Sequence, residues 1–295
     1  MFRTTQSPQS HVSRLLSHAQ ILEISGKDSV SFANAQFCSD VSALHELNWQ
    51  WSAWLDPQGR ARGVFALLRP SAECLLAWLP YGSAAGLAGQ LSRFVFRSKI
   101  TLSARDDFAL LERDSLQSAA GQLVETDDGW GLRLPGNGGR NAELRRSAGV
   151  EPIDHAARDA WRLADIHARL PWIDDAVSAE FTASALGLDR LGAISMNKGC
   201  YPGQEIVARL HFRGGNKRGL AVIGIEGDRV PEPGETLHAN ASEPALGKIL
   251  YAARSSARVS HALAVLPIDA PTGAGLMLAD GMPVVIENGS MPAAS

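Results

Sequence analysis

The stretch Asn197–Gly219, NKGCYPGQEIVARLHFRGGNKRG, carries one of the chain's three cysteines, Cys200, between a Lys198-Gly199 step and a Tyr201-Pro202-Gly203 turn. Pro202 suits the first position of a helix, because its ring presets φ and the N–H it lacks would have no partner there. Ile206, Val207 and Leu210 then supply the apolar face of a helix running to about His211. Cys200 is thereby expected just before a helix N-terminus, where free backbone N–H groups and the helix dipole favour a thiolate. Lys198, two residues back, adds positive charge. The competing reading of a lone free cysteine is a buried, inert space-filler, and spacing alone leaves both open. Cys38 and Cys74 sit among apolar residues and are expected in the core.

Arg209, Arg213, Lys217 and Arg218 follow, opposed nearby only by Glu205. They read either as a solvated face or as a landing site for a carboxylate tail, phosphates or RNA. The glycines match neither a P-loop nor a dinucleotide-binding fingerprint. A cysteine hydrolase would need a histidine in register with Cys200, and nothing in the spacing assigns His167 or His211 that role. No CxxC, CxxxH or HxxxH spacing points to an intrinsic metal site.

The whole chain sets bounds on these readings. Its 295 residues, 45% hydrophobic and 20% charged, suggest two or three domains with cores large enough to fold without staples. An odd number of scattered cysteines fits a reducing compartment. A net charge of −3 excludes a globally basic nucleic-acid coat protein. No apolar run approaches the ~18 residues of a membrane span. The N-terminal twenty residues lack acids and faintly resemble a transit peptide, but a polar tail before the first strand accounts for them.

Several elements follow from patterning. AQILEIS (Ala19–Ser25) alternates like a strand, and Asp28 caps a short helix carrying Phe32, Ala33, Gln36 and Phe37. WQWSAWLDPQGRARGVFALLRP reads as a hairpin turning at Asp56-Pro57-Gln58-Gly59, with Trp49, Trp51, Ala53 and Leu55 on one face. A strand over Glu73–Leu79 precedes an amphipathic helix with Leu87, Leu91, Phe94 and Val95. Phe108–Asp114 opens a second block, expected to hold a helix and then a strand near Trp130, with PGNGGRN as a loop. A helix from Ile153 to about His167 places Ile153, Ala157, Ala160, Trp161 and Ala164 on one face. Beyond Lys217, short apolar runs alternate with turns, as in a small barrel or sandwich. The order argues for an α+β protein rather than a doubly wound sheet.

KGCYPGQEIVAR resembles the KGCYxGQE signature of the YgfZ family of folate-binding proteins, relatives of the glycine-cleavage T-protein, an aminomethyltransferase. ILEISGKDSVSFANAQFCSDV, WSAWLDPQGRARGVF, WRLADIHARLPWID and LGLDRLGAISMNKGCY are similar to other family segments, so the resemblance covers most of the chain. It implies a three-domain cloverleaf around a central folate pocket: a split N-terminal folate-binding domain (15–50 and 150–215), a second α+β domain (51–149) and a C-terminal β-barrel (216–295). It further implies a tetrahydrofolate-dependent role in assembling or repairing iron–sulfur proteins and, through iron–sulfur enzymes, in tRNA modification. The partners would be folate and iron–sulfur proteins or their assembly factors, with RNA contact not required and no membrane. A monomer in the cytoplasm, or alternatively the mitochondrial matrix, is expected.

Carried over by position, Cys200 becomes the functional thiol and a transient cluster ligand. Lys198, Tyr201, Gln204, Glu205, Arg209 and Arg218 join the cofactor site, and Trp161 offers a flat indole to the pterin or aminobenzoyl ring. A second expected tryptophan is replaced by Ala19. His167 stands where the T-protein offers a glutamate to the pterin, leaving Asp165 as the nearby carboxylate. Gly63 and Val64 occupy the place of the T-protein's catalytic aspartate, which leaves catalysis open. The alternatives are a folate-dependent one-carbon transferase and a non-enzymatic module that binds RNA or protein.

Overall fold

The computed structural model describes residues 13–135, 139–147, 152–240, 243–270 and 275–287. Strands dominate. β1 (Ser13–Ser25) leads into helix α1 (Ser29–Gln36), and then β2 (Asn48–Leu55), β3 (Ala61–Ser71) and β4 (Cys74–Leu79) follow. Helix α2 (Ala84–Leu91) connects to β5 (Thr101–Arg113), β6 (Leu123–Thr126), β7 (Gly129–Leu134) and β8 (Arg140–Arg146). These eight strands form one antiparallel sheet in the order β2-β3-β4-β1-β5-β8-β7-β6. Its two edges meet: the Trp49 N–H donates to the Gly121 carbonyl at 2.8 Å and the Leu123 N–H to the Leu47 carbonyl at 2.8 Å. Curling a sheet this far satisfies edge backbone groups that would otherwise template aggregation.

Helix α3 (His155–His167) plugs the inner face of this sheet. Its Ala157 and Trp161 join a core with Leu16, Ala19, Trp49, Trp78 and Phe108. Asp154 caps it, accepting from the Ala157 N–H at 2.9 Å. The opposite face of the sheet is covered by α1 and α2. Helix α4 (Gln204–Arg213) then leads into β9 (Arg218–Glu226), β10 (Thr236–His238), β11 (Gly247–Ser256), β12 (Val259–Pro267), β13 (Leu276–Leu278) and β14 (Pro283–Ile286). These six close into a barrel, β10-β11-β12-β9-β14-β13, around Ile223, Leu237, Ile249, Leu266 and Leu278. The α+β class and the terminal barrel are as the sequence suggests.

Four local expectations are corrected. No helix follows Phe108–Asp114: the chain passes by a loop into β6, because Leu116, the apolar residue of that segment's middle, is spent against Gly131. Helix α2 ends at Leu91, so Phe94 lies beyond it and is exposed. On α3 the buried face is Ala157, Trp161, Asp165 and Ile166, while Ala160 points to solvent. Asp28 stands at the N-cap of α1, but its carboxylate accepts from the Lys99 N–H at 2.7 Å instead of capping the helix. The PGNGGRN loop lies partly outside the described residues, and its Arg140 and Asn141 begin β8.

The barrel is tied to the turn that follows α3 by a buried bond, in which the Tyr251 hydroxyl donates to the Leu170 carbonyl at 2.7 Å. Removing a buried donor costs about 1 kcal/mol net, and the Leu170 carbonyl keeps its second donor, the Trp172 N–H at 2.9 Å. Tyr251→Phe should therefore lose about 1 kcal/mol of unfolding free energy in urea melts. An unchanged midpoint would show that this bond does not hold the barrel.

Candidate functional site

The signature loop is built by backbone contact. Gly203 has φ of +80°, and a Cβ there would lie 2.6 Å from the Asp56 carbonyl oxygen and 2.7 Å from the Gly59 Cα. Only glycine fits both constraints. The Asp56–Gly59 turn it rests on is itself fixed, since the Asp56 carboxylate accepts from the Gln58 and Arg60 N–H groups, each at 2.9 Å. Upstream, the Ser195 N–H donates to the Cys38 carbonyl at 2.8 Å.

The Lys198 ammonium donates to the carbonyls of Phe37 at 2.6 Å and Ser39 at 2.7 Å, and lies 5.1 Å from the Tyr201 ring centre. Tyr201 is buried. Lys198 thus holds the α1–β2 connection, and its charge is committed there rather than to Cys200. Helix α4 begins at Gln204, so Pro202 lies in the turn before it and Cys200 stands four residues ahead of the first helical residue. The reason is Gly203: its left-handed conformation cannot belong to the helix. Gln204 and the exposed Glu205 form the first turn, Arg209 is exposed further along, and Arg218 opens β9 with its guanidinium donating to the Leu246 carbonyl at 2.9 Å.

Cys200 is the exposed cysteine. Cys38 is buried, its thiol donates to the Ala193 carbonyl at 3.1 Å, and burial pushes it up to about 12. Burial likewise raises Cys74 to about 11. At neutral pH only the thiolate is a nucleophile or metal ligand, so these two are silent.

A second constellation surrounds α3. Trp161 is 5% exposed, and the Arg140 guanidinium lies over its ring, 4.5 Å from the centre. Arg140 also pairs with the Asp165 carboxylate at 2.6 Å and donates to the Trp161 and Pro135 carbonyls. The other Asp165 oxygen accepts from the Trp172 indole at 3.2 Å. Burial pushes the Asp165 carboxyl up, against the opposing pull of Arg140. One face of Trp161 and both oxygens of Asp165 are therefore already engaged.

Outward from this pair runs a cleft. A small hollow of about 30 Å3 between Trp78, Trp161, Asp165 and Tyr81 adjoins a larger one of about 560 Å3 reaching Tyr251 and Arg254. Tyr81, Arg158 and Arg162 line both. Tyr81 stacks on Tyr251 at 4.7 Å, and the Arg162 guanidinium lies 5.4 Å from the Tyr81 ring centre. The Tyr81 hydroxyl and the Arg158 Nε are buried without a hydrogen-bond partner among the described residues. Sequence reasoning missed Tyr81, Arg158, Arg162 and Tyr251. Arg158 and Arg162 bracket Trp161 on α3, and that helical spacing was the available signal.

His167 is not in this cleft. It faces the barrel, with Nδ1 3.9 Å from Glu287 and its ring 5.3 Å from His261. Cys200 lines neither hollow. The expected site residues thus fall into separate groups: Trp161 with Asp165, His167 at the barrel, and Lys198 with Tyr201 beside Cys38.

The fold is that of the glycine-cleavage T-proteins. The aminomethyltransferase T of the glycine cleavage system from Bartonella henselae superposes with a TM-score of 0.70 at 15% identity, covering 96% of this chain and 86% of that one. No protein-family model matches the chain. A curated relative from Klebsiella pneumoniae (strain 342), tRNA-modifying protein YgfZ, is 33% identical over 241 residues, 72% of each chain. The same-named protein of Shigella boydii serotype 4 is 29% identical over 253 residues, 75% of this chain and 74% of its own. The chain belongs to the tRNA-modifying YgfZ family.

Burial lowers the Lys198 ammonium from 10.5 to about 8, against opposing pulls from Cys38 and Asp40. Between those values the unfolded chain holds a proton that the folded chain has released, so stability from this position rises with pH, and the penalty is full below the window. Urea melts of wild type and Lys198→Met at roughly pH 7 and 9.5 should show the difference moving in favour of wild type at the higher pH. A difference independent of pH would contradict the assignment.

Proposed function

We propose that this chain is a folate-binding accessory protein that supports the assembly or repair of iron–sulfur proteins and, through iron–sulfur enzymes, tRNA modification. It acts as a monomer in a reducing cytoplasm, with Cys200 as its working thiol. The observation that carries the cofactor is the cleft beside α3, where the buried Tyr81 hydroxyl has no hydrogen-bond partner among the described residues and the Arg158 Nε has only the Asp159 carboxylate, 3.8 Å away. Native proteins rarely leave such groups unpaired, so a ligand is their natural complement. A cleft of about 560 Å3 suits a folate-sized molecule. Tetrahydrofolate would lay its ring system against Tyr81 and Trp161 and its glutamate carboxylates on Arg158 and Arg162. Asp165 then acts indirectly, by fixing Arg140 and Trp172, and His167 serves the barrel contact.

The thiol reading rests on contrast. Lys198, Tyr201 and Gly203 have structural tasks, whereas Cys200 is exposed and Cys38 and Cys74 are suppressed. Thiolate is the usual cluster donor, and one cysteine cannot hold a cluster alone. Cys200 would give up its proton, take one iron position on a cluster carried by a partner protein, and release a thiolate that accepts a proton in turn. One-carbon transfer of the T-protein kind is disfavoured: Val64 is buried, a Cβ at Gly63 would meet Leu79 and Leu87 at 3.9 Å, and neither position carries a carboxylate.

Equilibrium dialysis of tetrahydrofolate tests the cofactor. Wild type and Cys200→Ser should bind equally, and Arg162→Leu about tenfold more weakly, the scale of one lost charge-assisted hydrogen bond. Absence of saturable binding to wild type would remove folate from the account.

A further inference from the structure

A cavity of about 370 Å3 lies against α4 and the start of β9 and shares no lining residue with the cleft around Tyr81. Its floor is apolar: Ile194, Met196, Val207, Leu210, Leu220 and Ile268. Its polar lining is basic. Arg169 and Arg190 contribute two guanidiniums, His211 adds an imidazole, and Asp189 is the lining carboxylate. Two features show that the wall is held in place. The Arg190 guanidinium donates to the Arg169 carbonyl at 2.6 Å, and Arg169 holds a positive φ of 52°, an unfavourable conformation for a residue with a side chain. Asn216 bridges the wall, donating to the Ser184 carbonyl at 3.3 Å and the Arg218 carbonyl at 2.8 Å.

No carboxylate lies within ion-pair distance of Arg190 among the described residues, although Asp189 is its chain neighbour. The Arg190 guanidinium is held below its ordinary value, first by desolvation and then by the charge of Arg169. Arg213 and Lys217, flanking the Gly214-Gly215-Asn216 lining, add to the positive field around it.

We propose that this cavity binds a small amphipathic organic anion, with a short apolar body on the Met196–Leu220 floor and a terminal carboxylate or phosphate held by Arg190. A volume of about 370 Å3 falls within the range of roughly 300–1,000 Å3 typical of small-molecule sites. An apolar floor with few convergent polar groups is the usual pattern of such sites. The site is independent of the folate reading.

Met196 supplies a direct reporter, because the chain has only five methionines and methyl-labelled methionine resolves them individually. Octanoate, octyl phosphate and octylamine are titrated into the full chain. Octanoate and octyl phosphate should shift the Met196 methyl signal saturably, the tighter of the two identifying the headgroup, while octylamine should leave it unmoved. Arg190→Leu should weaken the anions about tenfold, and Asp189→Asn should tighten them. The Met282 signal, from a residue packed on Gly227 in the barrel, reports that each variant remains folded. An unmoved Met196 signal with both anions, an equal response to octylamine, or undiminished binding by a folded Arg190→Leu would overturn the proposal. Retained tetrahydrofolate binding by Arg190→Leu would separate this site from the cleft beside α3.

Discussion

The site depends on the contact of two turns. Gly203 approaches the backbone of the Asp56–Gly59 turn so closely that it leaves no room for a Cβ of its own, and a Cβ on Gly59 would meet the Ile206 side chain at 3.1 Å. That contact fixes where α4 starts and hence where the signature loop ends. The other end is stitched by Lys198 to the carbonyls of Phe37 and Ser39, and by the Ser195 N–H to Cys38. Segments more than a hundred residues apart in sequence thus clamp a few residues, and Cys200 is what the clamp presents to solvent. A thiol on such a support loses little conformational entropy when it meets a partner.

The same logic governs α3. Its buried Asp165 is tolerated because Arg140 pairs with one carboxylate oxygen and the Trp172 indole donates to the other, and breaking such a pair costs far more than the pair itself contributes. Arg140 comes from β8 and Trp172 from the segment after α3, so the ion pair registers the helix against the curled sheet. Tyr251 then brings the barrel onto the turn that follows the same helix. The cleft lined by Tyr81, Arg158 and Arg162 is what remains between these parts once they are fixed.

Much of this was legible in the sequence. Alternation marked β1 and the β2–β3 hairpin, and the shift to short apolar runs after Lys217 marked the barrel. The motif identified the segment that carries Cys200. What failed depended on contacts distant in the chain. Pro202 carries the local signal of a helix start, but the Gly203 contact with Asp56 moves that start to Gln204. Lys198 looks in sequence like a charge for Cys200, and its carbonyl partners at Phe37 and Ser39 are invisible to spacing. Asp165 reads as a free carboxylate until Arg140 is placed beside it. The family resemblance puts His167 at the pterin, yet it turns toward Glu287 and His261 of the barrel side. Tyr81 and Tyr251 come together only because the barrel docks against the sheet.

The central claim is that the chain acts through the exposed thiol of Cys200. It is tested most directly by expressing Cys200→Ser in cells lacking their own copy of the protein and measuring the activity of an iron–sulfur tRNA-modifying enzyme. With the variant present at wild-type level and still binding tetrahydrofolate, activity should remain that of the deletion strain. Restoration to the wild-type level by the serine variant would contradict the account.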